Sequence, residues 1–115
     1  MVKLESLKKS NHFKLILKEK KLHTDFFSVF AAKNFLKNTN INNLRISFVM
    51  KKKIGNAVKR NKIRRKLKAI VIKLLKIKGA INKDYTYIVF GKSKDYEEKS
   101  SVLQLAMIKC FKKIK

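Results

Sequence analysis

The chain has 115 residues, 45% of them hydrophobic, which is enough for one small core and not for two, so a single domain spanning 1–115 is expected. Lysine and arginine number 31 against 7 acids, a formal charge of +24, and a compact chain this small tolerates such a charge only when a polyanion supplies counter-charge. Cys110 is the sole cysteine, which excludes an intramolecular disulfide and a multi-cysteine zinc site; with no apolar run of signal-peptide or membrane-span length, a cytoplasmic location is expected, with no membrane partner.

Residues 6–20 place Leu7, Phe13, Ile16 and Leu17 among lysines at roughly helical spacing, predicting a short amphipathic helix with a basic outer face. From Thr24 the pattern becomes strand-like: Phe26, Ser28, Phe30 and Ala32 fall on one face, Phe27, Val29 and Ala31 on the other. Both faces are largely apolar, so this strand belongs in the interior of a sheet. The Asn/Thr-rich stretch 38–43 reads as a loop, after which Leu44, Ile46, Phe48 and Met50 alternate with Arg45, Ser47, Val49 and Lys51 as a second strand.

Gly55-Asn56 breaks that pattern, and Asn56 is a candidate N-cap for the longest helix, which is expected to run to about residue 78 and stop at Gly79. Its apolar stripe is Ile63, Leu67, Ile70, Leu74 and Ile77, widened by Val71 and Leu75. Residues 84–90 predict a further strand, and Val102, Leu105, Ala106, Met107, Ile108 and Phe111 a closing helix that starts near residues 93–97. Helices interleaved with strands give an α/β or α+β class with one mixed sheet.

Residues 51–66 read KKKIGNAVKRNKIRRK and hold 9 lysines and arginines in 16 positions around a helix start. At about 100° per residue, Arg60 falls within roughly 20° and Arg64 within roughly 60° of Leu67, the centre of the core stripe. A guanidinium that extends a core-facing line stays charged only where the helix overhangs a groove, because burying it unpaired is very costly. Lys62 and Arg65 point away, with Lys73 and Lys76, as a separate basic face. The helix start, with Lys51, Lys52 and Lys53 upstream, also suits phosphate.

In these residues the chain resembles the bacterial ribonuclease P protein family, whose signature is a strand, a serine- or lysine-rich turn, Gly, Ala-Val and an Arg-Asn-Arg-type helix. The matching positions are Lys52, Lys53, Ile54, Gly55, Asn56, Ala57, Val58, Arg60, Asn61, Lys62, Ile63, Arg64 and Arg65. The likeness extends to Leu7-Lys8-Lys9 with Phe13, Phe27 to Phe30, Arg45 and Asp84-Tyr85. Lys62 replaces the triplet's second arginine, keeping the charge and losing the planar fork.

The resemblance implies an α+β fold, an α/β sandwich with a four-stranded mixed sheet and three helices, similar to a ribosomal-protein domain, with a left-handed βαβ crossover through the basic helix against the usual preference. It implies a groove for the 5′ leader of precursor tRNA lined by Phe13, Leu17, Phe30, Lys53, Arg60 and Arg64. It assigns contact with the catalytic RNA to Lys52, Asn56, Lys59, Asn61, Lys62, Arg65 and Lys66. The partners expected are ribonuclease P RNA and precursor tRNA, with no DNA; no cofactor belongs to the protein, and magnesium belongs to the RNA subunit, which carries the active site of this endoribonuclease.

The residues agree with a non-catalytic role. The acids Glu5, Glu19, Asp25, Asp84, Asp95, Glu97 and Glu98 are scattered, the last two reading as first-turn charge on the closing helix. His12 and His23 lack a partner motif, and Cys110 falls on the closing helix's apolar stripe, a core position. The competing readings are a ribosomal or general structured-RNA-binding protein, which would not prefer a precursor over a mature tRNA; a stand-alone nuclease, which would cleave without RNA; and a membrane-surface protein, for which the glycine and asparagine positions have no use.

Overall fold

In the computed structural model, which describes residues 4–5, 20–33, 44–77, 81 and 85–113, the strands are β1 (Leu4–Glu5), β2 (Lys20–His23), β3 (Phe27–Lys33), β4 (Leu44–Val49) and β5 (Tyr85–Gly91). They form one mixed sheet in the order β1-β4-β5-β3-β2. β4 runs parallel to β1 and β5, whereas β3 is antiparallel to β5 and β2. The α-helices among the described residues are α1 (Ala57–Leu75) and α2 (Ser100–Lys112), and 3₁₀ turns span Lys52–Ile54 and Ser93–Tyr96. This is the α+β class expected. The two-residue β1 extends the expected four-stranded sheet to five strands, and the third expected helix, at residues 6–20, lies outside the described residues except for Lys20, which begins β2.

Alternation sorts the sheet into two faces. Phe27, Val29 and Ala31 of β3, Leu44 and Ile46 of β4, and Tyr87 and Val89 of β5 pack with the helices in the main core. α1 contributes Ile63, Leu67, Ile70, Val71 and Leu74, all buried. α2 contributes Leu103, Met107, Cys110 and Phe111, with the Phe111 ring edge-on to Tyr87 at 4.9 Å. The opposite face carries Ser28, Phe30 and Ala32, then Phe90, Ile88 and Thr86, then Val49, Ser47 and Arg45, in cross-strand rows set by the register.

Several expectations are corrected. The strand expected from Thr24 begins at Phe27, because Thr24 instead closes a turn: its hydroxyl accepts the amides of Phe26 and Phe27, and its own amide donates to the Phe27 carbonyl at 2.9 Å. α1 ends at Leu75, not near 78, because the amides of Lys76 and Ile77 bond three residues back and tighten the last turn. Ile77 therefore leaves the stripe and stands 49% exposed. The closing helix starts at Ser100, later than expected, so Glu97 and Glu98 precede it and its first turn holds no acid. Leu105 is 62% exposed, and Leu103 takes the buried place.

Candidate nucleic-acid interface

The basic helix is set by its entrance. After the 3₁₀ turn Lys52–Ile54, Gly55 adopts φ +152°, a conformation that side-chain-bearing residues rarely take. A Cβ there would also lie 2.9 Å from Lys59 Cδ, so glycine lets the Lys59 stem fold back across the turn. Asn56 then caps α1 as expected, its side-chain oxygen accepting the Lys59 amide at 2.9 Å. Lys52, Lys53 and Asn56 are exposed around this entrance.

The expected groove residues divide between two places. Phe13 and Leu17 lie outside the described residues. Phe30 emerges on the sheet face away from α1, where its ring meets Phe90 edge-on at 5.4 Å and 75°. Both rings are partly exposed. Lys21 Nζ stands 5.1 Å from the Phe30 centroid, and Lys51 Nζ stands 5.7 Å from that of Phe90. The result is an aromatic pair with a cation over each ring.

Arg60 and Arg64 are half-buried near the start of α1. Arg60 Nε lies 3.5 Å from the Asn56 carbonyl, and Arg64 Nη1 donates to Asn61 Oδ1 at 2.8 Å. Neither bond involves an acid. Both arginines belong to the end of the sheet where β4 and β5 finish, since a Cβ on Gly91 would lie 3.1 Å from Ile63 Cγ2 and 2.5 Å from Met50 Sδ. Lys51, next to Met50, connects this cationic end to the Phe90 ring on the other face.

The outer basic face also divides. Lys59, Lys62 and Lys66 share one flank of α1, within roughly 60° of one another, and that flank meets the second 3₁₀ turn. Lys66 Nζ donates to the carbonyls of Asp95 at 3.0 Å, Tyr96 at 3.4 Å and Glu98. An ammonium has three protons, so Lys66, expected among the RNA contacts, is committed to holding the turn against the helix. Asn61, Lys62 and Arg65 remain exposed.

Beneath the turn, Asp95 is fully buried and accepts the Lys92 amide at 2.9 Å. Burial pushes its carboxyl up to about 6, against the pull of the Lys92 amide and the charges of Lys66, Lys92 and Lys94. Burial also pushes the Cys110 thiol up to about 11, with Lys113 opposing, and the side chain sits in the core, as expected. His23 Nδ1 lies 2.6 Å from Ser28 Oγ.

Sequence reasoning did not single out Phe90, Lys21 or Tyr96, whose rings and ammonium group the structure places on these surfaces. The signal for Phe90 was available: it alternates with Thr86 and Ile88, and pairing β5 with β3 puts it beside Phe30. Lys21 became legible only with the β2–β3 hairpin, and Tyr96 only with the turn docked on α1.

A family model described as Ribonuclease P matches residues 1–115. Among solved structures, the chain is similar to the ribonuclease P protein of Thermotoga maritima, at 28% identity over 96% of this chain and 98% of that one, with a TM-score of 0.76. It is similar to the Staphylococcus aureus ribonuclease P protein at 26% identity over 96% and 94% of the two chains, TM-score 0.74. A second Thermotoga maritima structure, in complex with 1-(4-fluorophenyl)-2-thiourea, matches at 29% identity over 95% and 99%, TM-score 0.74. No curated protein sequence matches the chain. Among the described residues, no helix is long and apolar enough to cross a membrane.

Proposed function

The chain belongs to the ribonuclease P protein family, and from that premise we propose that it binds two RNAs, the catalytic RNA of ribonuclease P and the 5′ leader of precursor tRNA, in the cytoplasm. In this reading it assists removal of the leader while the RNA performs the cleavage. The observation that carries it is the aromatic pair Phe30–Phe90 with Lys21 and Lys51 over the rings. Flat rings flanked by cations suit a single strand, whose bases stack while its phosphates are tracked by charge. Duplex RNA has no free bases to offer them.

Lys53, Arg60 and Arg64 extend this face around the sheet end as the phosphate-binding rim of the leader path. Lys52, Asn56, Lys59, Asn61, Lys62 and Arg65 then form the contact with the catalytic RNA, with Lys66 supporting them from within. In this reading magnesium is held by the RNA subunit and not by the protein.

Reconstituted holoenzyme tests the leader path. Arg60→Ala and Arg64→Ala are each expected to weaken precursor tRNA binding several-fold, on the order of 1 kcal/mol for a charge-assisted contact, with less effect on mature tRNA. Equal losses for the two ligands would remove leader recognition from the proposal. Affinity for single-stranded leader should also fall with salt at a log–log slope of about −5 if roughly seven phosphates are neutralised. A nearly flat response would contradict the polyanion argument.

A further inference from the structure

Beside the second 3₁₀ turn lies an open cavity of about 400 Å³ lined by Ile54, Gly55, Asn56, Val58, Lys59, Tyr96 and Glu97. Two of its walls are unusual for so charged a protein. Val58 is 73% exposed, an apolar side chain at the start of a basic helix with little of its own chain to pack against. Tyr96 stands partly exposed with Lys59 Nζ 5.4 Å and Lys62 Nζ 4.6 Å from its ring centroid.

The turn that carries Tyr96 is fixed from three sides. Lys66 gathers the carbonyls of Asp95, Tyr96 and Glu98. Lys59 Nζ donates to Ser93 Oγ at 2.8 Å. The buried Asp95 closes the turn on the Lys92 amide. Tyr96 is therefore a presented ring, set in place by α1 before any ligand arrives.

An apolar wall and an aromatic ring face one space, with Lys59 in its lining and Lys62 over the Tyr96 ring against the single acid Glu97. This combination has the size and net positive charge of a nucleotide seat. A neutral peptide would use the apolar walls and leave the cations without purpose. A free phosphate would use the cations and leave Val58 and Tyr96 without purpose. A nucleotide uses both, since its base stacks on an aromatic ring and its phosphate meets the cations. We propose that this cavity receives one unpaired nucleotide of the ribonuclease P RNA, its base between Val58 and Tyr96 and its phosphates on Lys59 and Lys62. The inference rests on the reading that the outer side of α1 meets the catalytic RNA, and it makes that contact a composite of helix and turn. This seat is separate from the Phe30–Phe90 face, so the protein stacks bases at two places, one for each RNA.

The test measures binding of the full chain to ribonuclease P RNA without tRNA. Tyr96→Leu, which keeps apolar volume and loses the ring, should weaken binding about tenfold, within the range for one base–aromatic stack. Tyr96→Phe should bind like the parent protein. Val58→Lys is the sharper variant, because its site is exposed and the core is untouched. It adds a cation, which would tighten RNA binding on charge alone, yet it fills the seat and should weaken binding several-fold. Tighter or unchanged binding by Val58→Lys, or equal losses in Tyr96→Leu and Tyr96→Phe, would overturn the seat. The variant Lys62→Ala/Arg65→Ala separates the two levels of the argument. If it loses affinity while Val58→Lys does not, the seat alone fails; if neither loses affinity, the contact between α1 and the catalytic RNA fails with it.

Discussion

Replacing both Phe30 and Phe90 by leucine should reduce the holoenzyme's preference for precursor over mature tRNA by roughly tenfold or more, since each base–aromatic stack is worth about 1–3 kcal/mol. Leucine is the informative substitute. The rings also pack with Ala32, Ile88 and Val49 on their face of the sheet, so alanine would confuse lost stacking with a lost side chain, whereas leucine keeps apolar bulk and removes the flat surface. The geometry explains why the pair should act together. An edge-to-face arrangement at 75° gives neighbouring bases two differently inclined surfaces, so a strand crossing the face must turn its bases out of helical register, as a single strand can and a duplex cannot. Binding of mature tRNA, which has no leader, should change little. Leader discrimination that survives in both single variants and in the double variant would show that the strand does not cross this face.

The cations serve the same face. Lys21 and Lys51 approach the rings from β2 and from the end of β4, two elements brought together only through β3 and β5. Their attraction to the ring faces holds them near where the phosphates of a stacked strand would run, so part of the ordering cost of binding is met before the RNA arrives.

How far the sequence reveals this arrangement depends on the range of the interaction concerned. The core stripe of α1, the Asn56 cap and the two-faced strand at Phe27–Lys33 are local, and periodicity or a single side-chain bond specifies them. The β2–β3 hairpin is not legible that way. Lys20–His23 holds one apolar residue, Leu22, so no alternation marks it as a strand, and its place follows from the Thr24 turn and from pairing with β3. The end of α1 was misplaced because Ile77 continues the apolar spacing after the backbone has tightened. Lys66 shows the limit most clearly: the family resemblance assigns it to the catalytic-RNA contact, but its three acceptors come from a turn about thirty residues later. A lone charge pattern cannot distinguish a lysine that waits for RNA from one that holds a carbonyl cluster.

Leu67→Ala is expected to cost about 2–5 kcal/mol of stability, because Leu67 is fully buried midway along the stripe that fixes α1 to the sheet. Folded domains hold a margin of only about 5–15 kcal/mol, and the self-repulsion of a chain at +24 lowers it further. The variant should therefore be largely unfolded in low-salt buffer and should refold when a multivalent anion such as pyrophosphate binds the cationic helix start, since a ligand that prefers the native state stabilises it in proportion to the logarithm of its concentration. Circular dichroism at equal ionic strength, with pyrophosphate against sodium chloride, distinguishes binding from screening. Refolding by both salts alike would reduce the effect to screening, and an unfolding midpoint equal to the parent's would show that α1 does not depend on this stripe. If pyrophosphate alone restores the fold, the charges that recruit RNA are the same charges that oppose folding, and the protein reaches full stability only in the presence of the polyanion it serves.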